Sequence, residues 1–395
     1  MNKIITLVVA FLLFIPFASI NGSNVASNTS TNNILYVGGS GPDNYTSIQS
    51  AINDADNGYT IYVYSGIYRE HVRIYKPINL IGEDENTTII DGMNETNVTV
   101  FSISASHVNF SHFTIRNALD GFWTKAISIS GNYIYIHKDI ITNCGGMHIS
   151  SSNTLIENCN LSYNYLGVSV GGGSSNLTIK NCIMSFNLGK KNKDGGYIGG
   201  NGIESGGSNT SIINCTIHHS RFDGISIVDG SNICIYGCDI SGHYPLEGIY
   251  LGGVKNGTIS NCELHDNNYG ITLVKSECIK IKNCSITESS WSGIRIMNEE
   301  KKSEEAIINS CDIKNNSCGI EILNSLGISV NYNNICNNSI GMKAEFSVCN
   351  ARNNYWGNPF GPSHLFGLRG DKIQATLAKV FYFPWLKEGY GNKLG

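Results

Sequence analysis

The sequence predicts an all-β solenoid: a right-handed parallel β-helix of roughly ten turns with a short N-terminal capping helix. Three observations carry the prediction. First, Gly followed by Ile or Met recurs at Gly202, Gly224, Gly248, Gly270, Gly293, Gly319 and Gly341, at intervals of 22 to 26 residues. Second, a Cys two residues before an apolar residue recurs at Cys159, Cys182, Cys215, Cys238, Cys262, Cys284 and Cys311. In the later repeats it leads the next such Gly by 8 to 10 residues, so both marks belong to one unit. Third, each unit reads as short period-2 segments between Asn/Gly corners, as in Thr258–Leu264, Asp266-Asn267-Asn268 and Gly270-Ile271-Thr272-Leu273. A single turn of this kind cannot bury its own apolar side chains, whereas a stack of turns about 4.8 Å apart can. Leucine-rich repeats share the length but need a Leu ladder and helices, which the sequence lacks.

Composition agrees. The chain has 395 residues, 41% hydrophobic but only 15% charged, with 44 Gly and 7 Pro. Gly has no three-residue period, which excludes collagen, and Ala, Lys and Glu are too scarce for a coiled coil. A net charge of −4 gives no basic field to hold nucleic acid.

The first residues read as an export signal. Lys3 precedes an apolar stretch from Ile4 to Ile15, followed by Pro16 and the small residues Ala18, Ser19 and Gly22. Residues 1–22 are therefore expected to be a signal peptide and 23–33 a linker. No second apolar run follows, so the mature chain is expected to be secreted or surface-held and not integral to a membrane. N-x-S/T sequons from Asn28 to Asn337 fit a glycoprotein in a host with the glycosylation machinery.

Residues 34–92 are expected to form the N-terminal cap and first turns, 93–358 the repeats and 359–395 the C-terminal cap. Thr46-Ser47-Ile48-Gln49 reads as a capping box, and Ile48, Ala51, Ile52 and Ala55 mark one apolar helix face. Such a helix would cover the exposed edge of the first turn. Asp371 to Lys379 reads as a second short helix, Val380 to Leu386 as an irregular closing segment, and Trp356 as part of its core. Asn158, Asn181, Asn214, Asn261 and Asn283 fall at one corner and are expected to adopt left-handed backbone and stack.

Most of the 13 Cys residues occur once per turn at an inward position, where a free thiol is a small buried hydrophobe. A mainly reduced interior ladder is expected. Cys234, Cys278, Cys318, Cys336 and Cys349 break the register and are the better candidates for pairing.

One outward face is legible. In each G-I-x-[ILV] segment x points out, giving the column Ser128, His148, Ser169, Glu204, Ser226, Tyr250, Thr272, Arg295, Glu321 and Lys343. The position before Gly adds Asp223, Glu247 and Tyr269. Any solenoid needs polar residues outside, so the column as a whole reads first as a solvated wall. Read as a groove, it suits an extended polymer, with Tyr250, Tyr269, Arg295 and Glu321 contacting substrate and Arg295 holding a substrate carboxylate. For a hydrolase, the acid and base would come from Glu204, Asp223 and Glu247. Glu204 and Glu247, two turns or about 9.6 Å apart, approach the ~6.5–9.5 Å gap of an inverting pair, and Asp223 between them would raise a neighbour's pKa by repulsion. Inserts at Asn187 to Gly200 and Asn298 to Glu305 would wall this groove. Trp291 is a further stacking candidate. His218, His219, His243 and His265 sit at corners of neighbouring turns, where surface loops or a copper site are the alternatives.

The stretch from Tyr45 to Gly92 (TSIQSAIND, GIYREHVRI, INLIGE, TTIIDG) resembles the opening of pectin-lyase-like β-helix proteins, including pectin methylesterases and NosD-like proteins. NYWGNPFGP with a terminal PWL resembles the end of secreted archaeal and bacterial β-helix proteins. The resemblance implies fold more than activity. The Gln-Asp-Thr and Asp-Phe-Ile-Phe-Gly segments of pectin methylesterases are missing, as is the Asp cluster of pectate lyases. Polygalacturonases carry Asn-Thr-Asp, Asp-Asp, Gly-His-Gly and Arg-Ile-Lys on successive turns. Here Arg221-Phe222-Asp223-Gly224, Glu247-Gly248, Tyr269-Gly270 and Gly293-Ile294-Arg295-Ile296-Met297 follow that layout without its His, second Asp and terminal Lys. The functional expectation is an exported carbohydrate-associated β-helix protein that binds or cleaves polysaccharide, as a hydrolase or lyase if an enzyme. A NosD-like accessory protein of copper maturation and a non-enzymatic surface or adhesive protein are the alternatives. No metal ligand set is assigned, and Ca2+ and copper stay open as cofactors. Polysaccharide or surface glycan is the expected partner.

Overall fold

A computed structural model describes residues 33–95, 97–119, 124–191, 194–298, 305–363 and 370–390. The expected signal segment and all of the linker but Asn33 lie outside the described residues. The 22-residue period resolves into a parallel β-solenoid of about 13 turns, more than the ten expected, because repeats lacking the Gly-Ile and Cys marks continue the stack at both ends. Each turn feeds three faces. One is a 15-stranded sheet from Ile34–Val37 to Lys379–Phe381. The second is a 14-stranded sheet that starts at Val72–Ile74. The third is split into a 4-stranded and a 7-stranded piece, joined through Asn160 by single bridges to Ile140 and Ile183.

The stacking is in register. Along the 14-stranded sheet Ser128, His148, Ser169, Glu204, Ser226, Tyr250, Thr272, Arg295, Glu321 and Lys343 are successive partners, and the column continues to Gln374. Inward neighbours such as Ile249, Ile271, Ile294 and Ile320 are fully buried. Their β-branched side chains suit a pleated, close-packed interior. Near the N-terminal end the core swells to hold Phe101, Phe110 and Phe113, with centroids 4.8 to 6.1 Å apart. At the other end Trp356 is fully buried, as expected.

Asn158, Asn181, Asn214, Asn261 and Asn283 all adopt left-handed backbone, with φ of 51 to 55°. A second amide row not singled out in the sequence, Asn153, Asn176, Asn209, Asn232 and Asn256, is hydrogen-bonded side chain to side chain at 2.8 to 3.2 Å. All 13 cysteines are free, including the register-breaking five. The once-per-turn Cys159, Cys182, Cys215, Cys238, Cys262, Cys284 and Cys311 form a buried column. In the turn before Cys159, Asp139 takes the ladder position and is itself buried.

The N-terminal helix is Ile48–Asp54, but its cap is Ser47 and not Thr46. The Ser47 hydroxyl accepts from the Ser50 N–H, and the Glu70 carboxylate accepts from Ile48 and Gln49 at 2.8 and 3.1 Å. A full carboxylate at the positive end of the helix displaces the amide that a capping box would use. Gln49 reaches out instead, accepting from the Arg73 N–H. The second expected helix is also corrected: Gly370–Thr376 is a strand, paired in register with Ile340–Glu345. The unpaired edge of the last turn favours another strand over a helix.

Candidate functional site

The site lies where the corner loops enter the 14-stranded sheet. Each loop ends in the residue before Gly, so Asn201, Asp223 and Glu247 occupy equivalent places on successive turns, followed in register by Tyr269 and Ser292. The backbone at the following Gly is crowded. A Cβ at Gly248 would meet the Gly270 carbonyl at 2.8 Å, and one at Gly224 the Gly248 carbonyl at 2.6 Å. Gly at these points lets neighbouring corners stack and sets the preceding side chains one above another.

A hydrogen-bonded line connects the three carboxylates proposed from sequence. Asn201 donates through Nδ2 to Glu204 Oε2 at 3.3 Å and accepts through Oδ1 from the Asp223 N–H at 3.0 Å. Asp223 Oδ1 in turn accepts from the Glu247 N–H at 3.2 Å. Ser169 Oγ donates to Glu204 Oε1 at 2.8 Å. Asp223 and Glu247 are thus brought together on adjacent turns, while Glu204 stands in the outward column, in register with Ser226 and Tyr250.

Asp223 is buried and Glu247 half-buried. Burial pushes the Asp223 carboxyl up, against the backbone N–H of Glu247 and the Ser226 hydroxyl, which favour its ionised form. Glu247 is pushed up to about 8, first by burial, then by the negative charge of Asp223; Thr272 and Arg295 oppose the rise. Burial, and not the repulsion expected from sequence, is the larger cause. The pair holds a proton at neutral pH.

The proposed substrate-contacting residues flank this pair. Burial and the two carboxylates raise the Tyr250 pKa, so its phenol stays protonated. Tyr269 sits one turn above Glu247, 6.0 Å from Trp291, which is 61% exposed. Arg295 lies 5.0 Å over the Tyr269 ring and 3.4 Å from Glu321. Glu321 also receives Lys343 at 3.1 Å, and Lys343 bridges on to Glu345.

The first insert forms a hairpin, Lys190–Lys191 with Tyr197–Ile198, antiparallel to each other unlike the stacked strands. It stands beside the corner through Arg221, whose guanidinium lies 3.4 Å from the Tyr197 ring centroid. Most of the second insert lies outside the described residues.

The four histidines diverge. His218 and His265 both face Asp239 on the 7-stranded sheet, at 3.1 and 3.5 Å, and His219 stacks on Phe186. His243 points inward and is completely buried. Among the described residues no group of three or more His, Cys, Asp or Glu is arranged to hold a metal ion.

Asn201, Ser226 and Thr272 were missed as partners of the carboxyls. The signal for Asn201 was present: it precedes Gly202 as Asp223 precedes Gly224. A further column also went unread. Beyond the outward polar residue, Val228, Gly252, Val274, Met297 and Leu323 are successive partners, an apolar ribbon beside the polar column.

Residues 201–356 match the family model of the right-handed β-helix region. No curated protein matches the chain. Among solved structures, the A-module of a mannuronan C-5 epimerase from Azotobacter vinelandii superposes with a TM-score of 0.63 at 14% identity, covering 84% of this chain and 94% of that one. The Dettilon tailspike protein gives 0.57 at 12% identity, over 87% and 68%. A lacto-N-biosidase from Eubacterium ramulus gives 0.50 at 9%, over 88% and 68%. No described helix is long and apolar enough to cross a membrane. With the sheet topology and the stacking register, these likenesses identify the chain as a right-handed parallel β-helix of the pectin-lyase-like fold.

Proposed function

We propose that this is an exported carbohydrate-associated protein that hydrolyses a polysaccharide in the groove of the 14-stranded sheet. The observation that carries the reading is the Asp223–Glu247 pair: two carboxyls on adjacent turns, sheltered from water, sharing a proton where the outward column offers hydroxyl and aromatic groups. A solvated wall has no reason to shelter acids in this way, and perturbed carboxyls in a groove are a mark of acid–base sites. The carbohydrate names of the epimerase and the biosidase support the substrate class.

Glu247 is the general acid, giving its proton to the glycosidic oxygen as the C–O bond breaks. Asp223 keeps that proton in place. Glu204 is the general base, taking a proton from the water whose oxygen joins the anomeric carbon. Glu204 and Glu247 are two turns apart, ~9.6 Å along the axis, and offset by a column, so their backbones stand beyond the ~6.5–9.5 Å of an inverting pair and their long side chains, with Glu204 turned toward Asn201, must close the gap. Asn201, bonded to Glu204 and to the Asp223 N–H, holds their register. Screening the mature chain against a polysaccharide panel tests the reading. Release of reducing ends that Glu247→Gln abolishes supports it; full activity in Asp223→Asn, Glu247→Gln and Glu204→Gln defeats it.

A further inference from the structure

Read from sequence, the column suits a polymer whose carboxylate Arg295 would hold. The structure places that cation differently. Arg295 is covered by Tyr269 on one side and engaged by Glu321, which also takes Lys343. From Ser169 to Glu345, the three columns of this face hold Arg295 and Lys343 as cations, both paired. Against them stand Glu204, Glu321, Glu345 and the proton-sharing Asp223–Glu247 pair. Arg221 lies flat on Tyr197, and Lys275, beside the ribbon, has a partner of its own. A uronate or sulfate set on these columns would find no unpaired cation there and would lie against three carboxylates and the proton-sharing pair, where like charge is costly.

The other groups suit an uncharged ring. The floor offers Ser226 and Tyr250. One rim is the apolar ribbon of Val228, Val274, Met297 and Leu323; the other is the plate made by Tyr269 and the exposed Trp291. Trp291 precedes Ser292, two turns beyond Glu247, so along the axis the indole is carried ~9.6 Å from Glu247 on its C-terminal side, with Tyr269 one turn nearer. An exposed indole set at a tilt beside a second ring still presents a flat apolar face of its own, which the C–H face of a sugar covers well.

Resting on the proposed reading, we infer that the substrate is a neutral polysaccharide lying along the helix axis, with one sugar ring seated on Trp291 beyond the cleavage point. Arg295 and Glu321 then position Tyr269 and do not contact substrate charge.

The test separates binding from cleavage. Glu247→Gln, which retains the groove, is titrated calorimetrically with neutral gluco-, galacto-, manno- and xylo-oligosaccharides and with oligogalacturonate and oligomannuronate. We expect binding within the neutral set only. A further Trp291→Ala substitution should weaken it roughly tenfold, with Trp291→Phe restoring part of the loss and the melting temperature unchanged. Preferred binding of the uronates overturns the inference while leaving the carboxyl pair intact as the reactive site. Neutral binding indifferent to Trp291→Ala overturns the placement of the ring, and failure of both sets to bind at millimolar concentration overturns the inference altogether. Neutral binding by Glu247→Gln, with no turnover by the native chain, would remove the hydrolase reading and keep this one.

Discussion

The N–H of Glu247 donates to Oδ1 of Asp223 at 3.2 Å, so the backbone of one turn fixes the carboxyl of the turn before it. Asp223 cannot drift from the Glu247 backbone without breaking a sheet corner, so each acid modifies the effect that burial has on the proton affinity of the other.

Removing either acid should act on chemistry more than on folding. Asp223→Asn and Glu247→Gln are expected to lower kcat more than a hundredfold without lowering the melting temperature. The alkaline limb of kcat/KM should fall near pH 8 in the native enzyme. In residual activity of Asp223→Asn it should move to lower pH, because the negative neighbour that helps raise Glu247 is gone. Stopped-assay pH profiles read both.

Glu247 also links pH to stability. Its folded pKa of about 8 lies above the ordinary 4.5, so the folded state binds the proton more tightly. The stabilisation is complete below pH 4.5 and is lost as pH rises to about 8. Glu247→Gln should flatten this part of the melting-temperature profile.

His243 works in the opposite sense. Burial depresses it from 6.5 to about 4, while its Nε2–H donates to the Ile217 carbonyl at 3.0 Å. Its contribution is present above pH 6.5 and is lost as pH falls through 4, a span worth roughly 3 kcal/mol. Asn267, Asn316 and Asn338 fill the same place in other turns and donate to Ile240, Ile286 and Ile313. His243→Asn should therefore fold normally and resist acid unfolding better than the native chain, as followed by circular dichroism.

Asp139 carries a similar lesson at the head of the thiol ladder. It is fully buried, its Oδ1 accepts from the Phe113 N–H at 2.8 Å, and burial raises its pKa well above the carboxylate range. Its stabilisation is complete below 3.8 and lost as pH rises. Asp139→Asn keeps the acceptor without the proton, so it should raise the melting temperature most at alkaline pH.

Thiol accessibility checks the interior. In the native protein Cys278 is exposed, Cys234 and Cys336 are partly covered, and the other ten are buried. A thiol reagent should modify Cys278 first, and unfolding without reductant should release nearly all 13. Extensive disulfide formation would contradict the ladder.

The fold was legible because its period is written in single residue types: Gly where corners crowd, Asn where φ is positive, Cys where only a small side chain fits. The outward column came through residue for residue, since in-register stacking follows directly from that period. The site was less legible. Asp223 and Glu247 were visible, but what makes them unusual is shelter, which depends on neighbouring corners and not on spacing. Arg295 was read as holding a substrate carboxylate because its partner, Glu321, lies in the next repeat, where only stacking joins them. The Asp371 segment misled because its local pattern competes with an unpaired edge whose demand is invisible in a short window.

In-register stacking also makes this face a ruler. Positions along the axis are graduated in whole strand spacings of ~4.8 Å, and no substitution shifts one mark by a fraction. Evolution can lengthen or shorten the interval between Glu247 and Trp291 only by gaining or losing a complete repeat. Excising one turn between them, cut at equivalent corners, should bring the indole nearer by one graduation and give new neighbours only to the two turns that meet at the cut. Chain-length preference in such a protein would therefore change in discrete steps.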